Sequence, residues 1–292
     1  MASPIIDCCT EAEWPALLAA LDATFVTERG RTGSLASRFP NAMGQTAFSN
    51  TVVLRTGEEI SSCCVMREFD WITPDAQWRG AMIGMVYTRA ATRGRGYAAQ
   101  VLSHAITQLH AKGVDFAVLW SGLDHYYENL GWMRHDRGII GVLNVSSPPA
   151  LSRQPLPTFA QLNHLQREHQ TQRVQRDAAD WTVTPLPAHT TETAWAMANE
   201  NAYALFGLNG ETRYVYEVVG KPESFPMLWH QISAGARQVY VNDVVGSAWH
   251  RWLIANTAMQ FKDQALAHWR LLSPRAHQAR WRGWHIPWFD RI

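Results

Sequence analysis

Met82–Trp132 reads MIGMVYTRAATRGRGYAAQVLSHAITQLHAKGVDFAVLWSGLDHYYENLGW. Met82–Thr88 is an apolar run bounded by basic and small residues, long enough for a buried strand. Arg93-Gly94-Arg95-Gly96-Tyr97-Ala98 follows it. Beyond that turn Val101, Leu102, Ala105, Ile106 and Leu109 recur at helical spacing, and Gly113 stands where a helix C-terminal glycine belongs. Asp115–Trp120 is a second apolar run and predicts a second strand. Strand, loop, helix and strand in that order predict a crossover joining a parallel pair.

A glycine-rich turn entering a helix leaves backbone N–H groups unpaired and aimed at one spot. The helix dipole adds partial positive charge there, so the turn is a candidate anion site, with pyrophosphate its usual guest. Gly94 and Gly96 remove side chains that would block close approach, and Arg93 and Arg95 add charge. The turn is not a Walker loop, because the Gly-Lys-Ser/Thr ending is absent. It is not the dinucleotide fingerprint either, which would need glycine at Ala99. On spacing alone, a plain strand–helix turn with incidental glycines stays open.

The stretch resembles the core of the GNAT N-acetyltransferase superfamily. That family's cofactor motif, Arg/Gln-x-x-Gly-x-Gly/Ala, is matched at its fixed positions by Arg93, Gly96 and Ala98. Its second motif, Tyr-x-x-x-Gly followed by an aromatic, is matched by Tyr127, Gly131 and Trp132. Two motifs in order, with a helix and a strand between them, are far more specific than either alone. The resemblance covers about the first half of the chain. It implies that backbone amides of Arg95, Gly96, Tyr97 and Ala98 hold the pyrophosphate of acetyl-CoA, with Gly94 forming the turn. It implies that the strand before the loop splays from its neighbour, so that Val86, Tyr87 and Thr88 pair with the pantetheine arm. It also implies that Tyr127 lies near the thioester sulfur and protonates the departing thiolate.

Those roles make chemical sense. Acetyl transfer needs a neutral amine, a polarised carbonyl and a protonated leaving group. A tyrosine with a pKa of roughly 10 is a fair acid toward a thiolate. The alternative for Tyr127 is a core aromatic, or a ring that only stacks on the cofactor. A general base is harder to find. Ile83–Tyr87 holds no carboxylate, and Glu68, Asp70, Asp124 and His125 are the nearest candidates along the chain. Asp124 reads equally as a helix N-cap, His125 as an exposed helix residue, and solvent water can take the proton.

The chain has 292 residues, 47% of them hydrophobic, enough for one large or two small domains. A net charge of +1 gives nucleic acid and anionic membranes no support. No stretch approaches the roughly 18 apolar residues of a membrane span. Met1–Pro4 lacks the start of a signal peptide. Cys8-Cys9 and Cys63-Cys64 are poor disulfide partners and have no metal-site spacing. They read as small buried strand residues of a cytoplasmic protein, and no metal is expected.

Outside the central stretch, Ser3–Cys9 reads as a first strand. Thr10 and Glu13 form a capping box before a helix striped by Trp14, Leu17, Leu18, Leu21 and Phe25. Glu28–Phe48 reads as an irregular wall of the acceptor pocket or a solvated loop. Thr51–Met66 reads as a hairpin, and Arg67–Gly80 as the loop joining it to the splayed strand. Ile139–Val145 reads as the last strand before a Ser/Pro-rich boundary over Asn144–Pro155. Phe159–Ala179 reads as a polar bridging helix.

The remainder carries a faint echo: a strand at Trp181–Leu186, a helix at Thr190–Leu205, and a hairpin with an Asn-Asp turn over Gln238–Ser247. From Trp249 to Ile292, six tryptophans interleave with six arginines. They read as an interface, a homodimer contact included, or as a core-covering tail rather than a nucleic-acid surface.

The expected fold is therefore mixed α/β: a GNAT-like twisted, mostly antiparallel sheet with a splayed parallel pair and helices on both faces. A second domain follows, with the order of a degenerate copy. The expected division is 1–148 for the acetyltransferase domain, 149–180 for a bridging helix and 181–292 for the second domain. The expected activity is transfer of acetyl from acetyl-CoA to the amine of a small molecule or protein, by direct attack in a ternary complex. A longer acyl group, or a non-catalytic CoA-binding or scaffold protein, are the alternatives.

Overall fold

The computed structural model describes residues 3–146, 157–183, 193–198 and 200–292. The first part of the chain forms β1 (Ile5–Cys8), α1 (Trp14–Phe25), the one-turn helices α2 (Leu35–Arg38) and α3 (Pro40–Met43), β2 (Thr51–Thr56), β3 (Glu59–Ile72) and β4 (Gln77–Thr88). It continues through α4 (Tyr97–Ala111), β5 (Phe116–Trp120), α5 (Asp124–Asn129), β6 (Met133–Arg134) and β7 (Gly138–Asn144). The second part forms α6 (Phe159–His169), β8 (Arg173–Val174), β9 (Thr193–Ala198), β10 (Ala202–Asn209), β11 (Thr212–Gly220) and α7 (Phe225–Ser233). It closes with β12 (Gln238–Val244), α8 (Ala248–Asn256), β13 (Gln260–Asp263), β14 (Ala267–Leu271) and α9 (Pro274–Gln278).

Local chemistry starts α1 as expected. The Thr10 N–H donates to Glu13 Oε2 at 2.8 Å, and the Glu13 N–H donates to Thr10 Oγ1 at 3.3 Å. Trp14, Leu17 and Leu21 then bury one face of the helix. The segment read as a loop, Arg67–Gly80, is instead the far ends of β3 and β4 around a tight turn at Thr73–Ala76. Its acidic residues mislead because they alternate with a buried set. Phe69 and Trp71 point inward while Glu68 points out, to Arg79 at 3.1 Å and Lys112 at 2.8 Å.

Two mixed sheets result, with strand orders β1-β2-β3-β4-β5-β14-β6 and β13-β7-β12-β11-β10-β9. The short β8 adds to the end of β3 beside Trp71 and Ile72. The two sheets trade strands. The last strand of the first part, β7, runs antiparallel between β12 and β13 of the second sheet. The last strand of the second part, β14, runs antiparallel between β5 and β6 of the first sheet. A cut near 148 therefore severs the chain without separating the sheets. The Ser/Pro-rich segment from 147 to 156 lies outside the described residues.

The second half departs from its expected elements. Thr190–Leu205 is not a helix: 193–198 and 202–209 are the antiparallel strands β9 and β10. Both faces of this hairpin are covered. Ala196, Ala204 and Phe206 join one core, while Tyr203 and Leu205 join another. Apolar residues then occur at every spacing and the period of 2 is masked. Gln238–Ser247 is not a hairpin but the single strand β12, parallel to β11. Trp181 lies in a short helical turn over Asp180–Thr182, and 184–192 fall outside the described residues. Phe159–Ala179 stays helical only to His169.

The tryptophan-rich tail is core. Trp249, Trp269, Trp281, Trp284 and Trp288 are buried, and Trp284 packs 5.0 Å from both Trp78 and Phe116. Residues of α1, α3, β4, α6, β10, β11 and the tail share one hydrophobic cluster between the sheets. The four cysteines are free thiols, and three are buried. Burial pushes the Cys64 thiol up to about 12, as befits inert packing residues. Among the described residues no helix is long and apolar enough to cross a membrane.

Candidate active site

The parallel pair at the centre of the first sheet is zipped at one end and open at the other. Gly80, Ala81 and Met82 pair with Phe116, Ala117 and Val118. The zipped end is tight: a Cβ at Gly80 would stand 2.5 Å from the Phe69 ring and 2.7 Å from that of Phe116. Beyond Met82 and Val118 the ladder stops, although β4 runs on to Thr88 and β5 to Trp120.

A bulge accounts for the opening. Val65 pairs with Gly84 but Cys63 pairs with Tyr87, so β4 carries an extra residue, and Met85 takes a left-handed φ of 49°. A bulge bends its strand and increases the local twist. The left-handed conformation costs a non-glycine residue about 1–2 kcal/mol, and such strain gathers at functional sites. Val86, Tyr87 and Thr88 thus leave their β5-facing edge unpaired. On the other edge, Ser62 Oγ donates to the Tyr87 carbonyl at 2.7 Å.

At the mouth of this opening, Gly94 and Gly96 adopt φ of 80° and 73°, and α4 begins at Tyr97. Left-handed turns directly before a helix aim successive N–H groups into one concavity. A Cβ at either glycine would meet nothing within 4 Å, so the concavity is open to a ligand. Arg93 turns back, its Nε donating to the Thr88 carbonyl at 3.2 Å, which ties the turn to the splayed strand. Arg95 is exposed.

Tyr127 is buried on α5 and shares one apolar cluster with Val101, with Val86 of the unpaired edge and with Tyr97 at the start of α4. Burial, then the neighbouring Tyr126 and Cys64, push the Tyr127 hydroxyl up to about 12 against a hydrogen bond with Ser121. Its O–H stays protonated throughout the neutral range.

Two features come from the far end of the chain. The exchanged strand β14 places the fully buried His268 with its ring 5.4 Å from that of Tyr127. Its Nε2 lies 3.6 Å from Asp124 Oδ1. Two residues on, Arg270 Nη1 donates to the carbonyls of Leu130 and Gly131 at 3.1 and 2.5 Å. A side chain at Gly131, which has φ 77°, would collide with that guanidinium, which explains the glycine in the second motif. The main chain of Ile292 also covers the splayed strand. Its carbonyl carbon and oxygen each lie 3.0 Å from where a Cβ at Gly84 would stand. No local pattern could have found either feature, because each acts across more than a hundred residues.

Of the acidic candidates for a base, Glu68 and Asp70 lie away from the opening, while Asp124 lies near it but is held in an ion pair. Glu68 and Asp70 pair with Ala81 and Arg79 at the zipped end. Asp124 forms an ion pair with Arg134 at 2.5 Å. His125 is 99% exposed and lies 3.6 Å from Glu128.

Residues 6–134 match the family model of the acetyltransferase (GNAT) domain. No curated protein sequence matches the chain. Among solved structures, a probable N-acyltransferase from Enterococcus faecalis V583 superposes with a TM-score of 0.74 at 14% identity, over 94% of this chain and 74% of that one. A GCN5-related N-acetyltransferase from Anabaena variabilis superposes with a TM-score of 0.72 at 12% identity, over 93% and 73%. One from Kribbella flavida gives 0.67 at 15% identity, over 94% and 72%. These likenesses establish that both sheets, and not the first alone, follow a shared fold. Residues 6–134 are thus the part of the chain that is similar to the GNAT acetyltransferase domain, and the remainder shares only the fold of the solved structures.

Proposed function

We propose that this protein transfers an acetyl group from acetyl-CoA to a primary amine, by direct attack within a ternary complex. The observation that carries the reading is the apolar cluster that joins the buried Tyr127 to Val86 of the unpaired strand edge and to Tyr97 just after the open glycine turn. The amides of Arg95, Gly96, Tyr97 and Ala98 bind the pyrophosphate, and the free edge of Val86, Tyr87 and Thr88 aligns the pantetheine arm. A backbone N–H of that edge polarises the thioester carbonyl.

The neutral amine attacks the carbonyl carbon. As the C–N bond forms, the C–S bond breaks and its electron pair moves to sulfur. Tyr127 donates its proton to that sulfur, the new amide nitrogen releases its extra proton to water, and the Tyr127 phenolate regains a proton from water before the next turnover. The Ile292 main-chain oxygen, an acceptor beside Gly84, orients an amine N–H toward the open strand. The donor group is acetyl-CoA and the acceptor is the amine of a small molecule or a protein.

Thiol release from acetyl-CoA, measured across an amine panel, tests the reading. Tyr127→Phe is expected to lower kcat by about 100-fold or more while the Kd for acetyl-CoA stays within about twofold. Equal turnover in the variant removes Tyr127 from the chemistry. No turnover with any amine, despite acetyl-CoA binding, makes the protein a CoA-binding module.

A further inference from the structure

The second sheet repeats the opening of the first. β11 and β12 pair in parallel from Thr212 and Gln238 to Val215 and Val241, then stop, although β11 runs to Gly220 and β12 to Val244. A bulge again precedes the gap: Leu205 pairs with Glu217 but Phe206 with Val215, leaving Tyr216 as the extra residue. The gap is a cavity of about 340 Å³. That is within the range of small-molecule sites, about 300–1,000 Å³.

It is not a second acyl-CoA site. The segment that enters α7, Gly220-Lys221-Pro222-Glu223-Ser224, has a proline where an amide should be and an acid in its first turn. Its one glycine, at φ 139°, exists because a Cβ would stand 2.2 Å from that of Ala202. Nothing there cradles a pyrophosphate.

The wall offers a different chemistry. Phe225 and Trp249 give it aromatic surface, their rings 5.1 Å apart. Four of its residues carry a buried polar atom without a partner: Tyr216 Oη, Asn242 Oδ1, Gln170 Oε1 and Trp249 Nε1. Such atoms are costly to bury and rare in native proteins. Oxygens outnumber the single N–H. Of the two lining carboxylates, Glu217 is consumed by Arg176 at 2.8 and 2.6 Å. Asp243 forms no ion pair among the described residues; it accepts from the Val244 N–H at 2.7 Å, from Ser247 Oγ at 2.5 Å and from the His250 main chain. Arg137, the lining arginine, is exposed and held on the Val245 carbonyl at 3.1 Å.

We infer that the opening between β11 and β12 is a second ligand site, which takes a small organic amine as its ammonium ion. Asp243 supplies the counter-charge, Asn242 accepts an N–H bond, and the rings of Phe225 and Trp249 cover the organic body. The site is separate from the acyl-transfer opening, since it lies in the other sheet.

Calorimetric titration of 4-bromobenzylamine into the full chain, without acetyl-CoA, tests this. The expected result is one-to-one binding, about tenfold tighter than for 4-bromobenzyl alcohol. It should be lost in Asp243→Asn and retained in Gly84→Val, which displaces Ile292 at the first opening. If Asp243→Asn does not fold, bromine anomalous scattering from a crystal of the unaltered protein soaked in the amine locates the ligand directly. Bromine between β11 and β12 supports the assignment. No binding at millimolar amine, equal binding of the alcohol, or bromine only beside β4 overturns it.

Discussion

The two openings share a skeleton and differ in everything that meets a ligand. Each is a parallel pair that parts after a bulge. At the first, glycines in left-handed turns open onto free space, and the strand edge stays bare. At the second, the entering glycine is pressed against Ala202, and the wall is lined by a carboxylate, amides and aromatic rings. The backbone topology fixes where a gap forms. The few side chains at its rim fix which chemistry enters.

The largest effect should come from separating the two halves. Residues 1–148 alone lack β14, the strand between β5 and β6, and expose the edges it covers. The fragment should show no cooperative unfolding transition by near-UV circular dichroism, and co-expression with 149–292 should restore one. A stable, acetyl-CoA-binding fragment would show the exchange to be dispensable.

Next comes the ion cluster behind the second opening. Arg176 bonds Glu217 at 2.6 Å and Asp290 at 2.7 Å, with all three side chains at most 3% exposed. Tyr203 adds its hydroxyl to Glu217 at 2.6 Å. Arg176→Met strands two buried carboxylates and should cost about 3–5 kcal/mol in denaturant unfolding. The stranded carboxyls would titrate higher when folded than when unfolded, so folding takes up protons. The deficit should therefore shrink as pH falls below neutral.

A paired substitution then sharpens the contrast. Gly96→Glu puts bulk and negative charge at the first opening, and should weaken acetyl-CoA about 100-fold, close to 3 kcal/mol. Glu223→Lys, at the corresponding entrance of the second, should leave that affinity within about twofold. Calorimetry on both decides whether one opening or two read the nucleotide.

The smallest effect is on pH. An unperturbed tyrosine would lose its proton near pH 10. Tyr127 is held up to about 12, so the donor form persists and turnover should not fall between pH 9 and about 10.5 through this group. A falling limb centred on 10, absent in Tyr127→Phe, would show the tyrosine to be solvated rather than buried.

The first opening was legible in the sequence because its parts are local. Glycines before a helix, a strand ahead of them and a tyrosine after the next strand lie within 51 residues, and each leaves a pattern. The carboxylates of Arg67–Gly80 were misread because strand alternation on a half-exposed sheet resembles loop composition. In the second half, β9 and β10 are apolar on both faces, so no period survives to distinguish strand from helix.

The sequence by itself determined the glycine turn, the helix that follows it, the parallel pair and the tyrosine, because φ freedom, capping and side-chain periodicity act over a few residues. Only the tertiary structure decided which sheet each terminal strand joins, that His268 abuts Tyr127 and Arg270 braces Gly131, and that Ile292 lies over Gly84. Those are pairings between segments more than a hundred residues apart. They are selected by the free energy of burying whole strands and rings together, which no local pattern records.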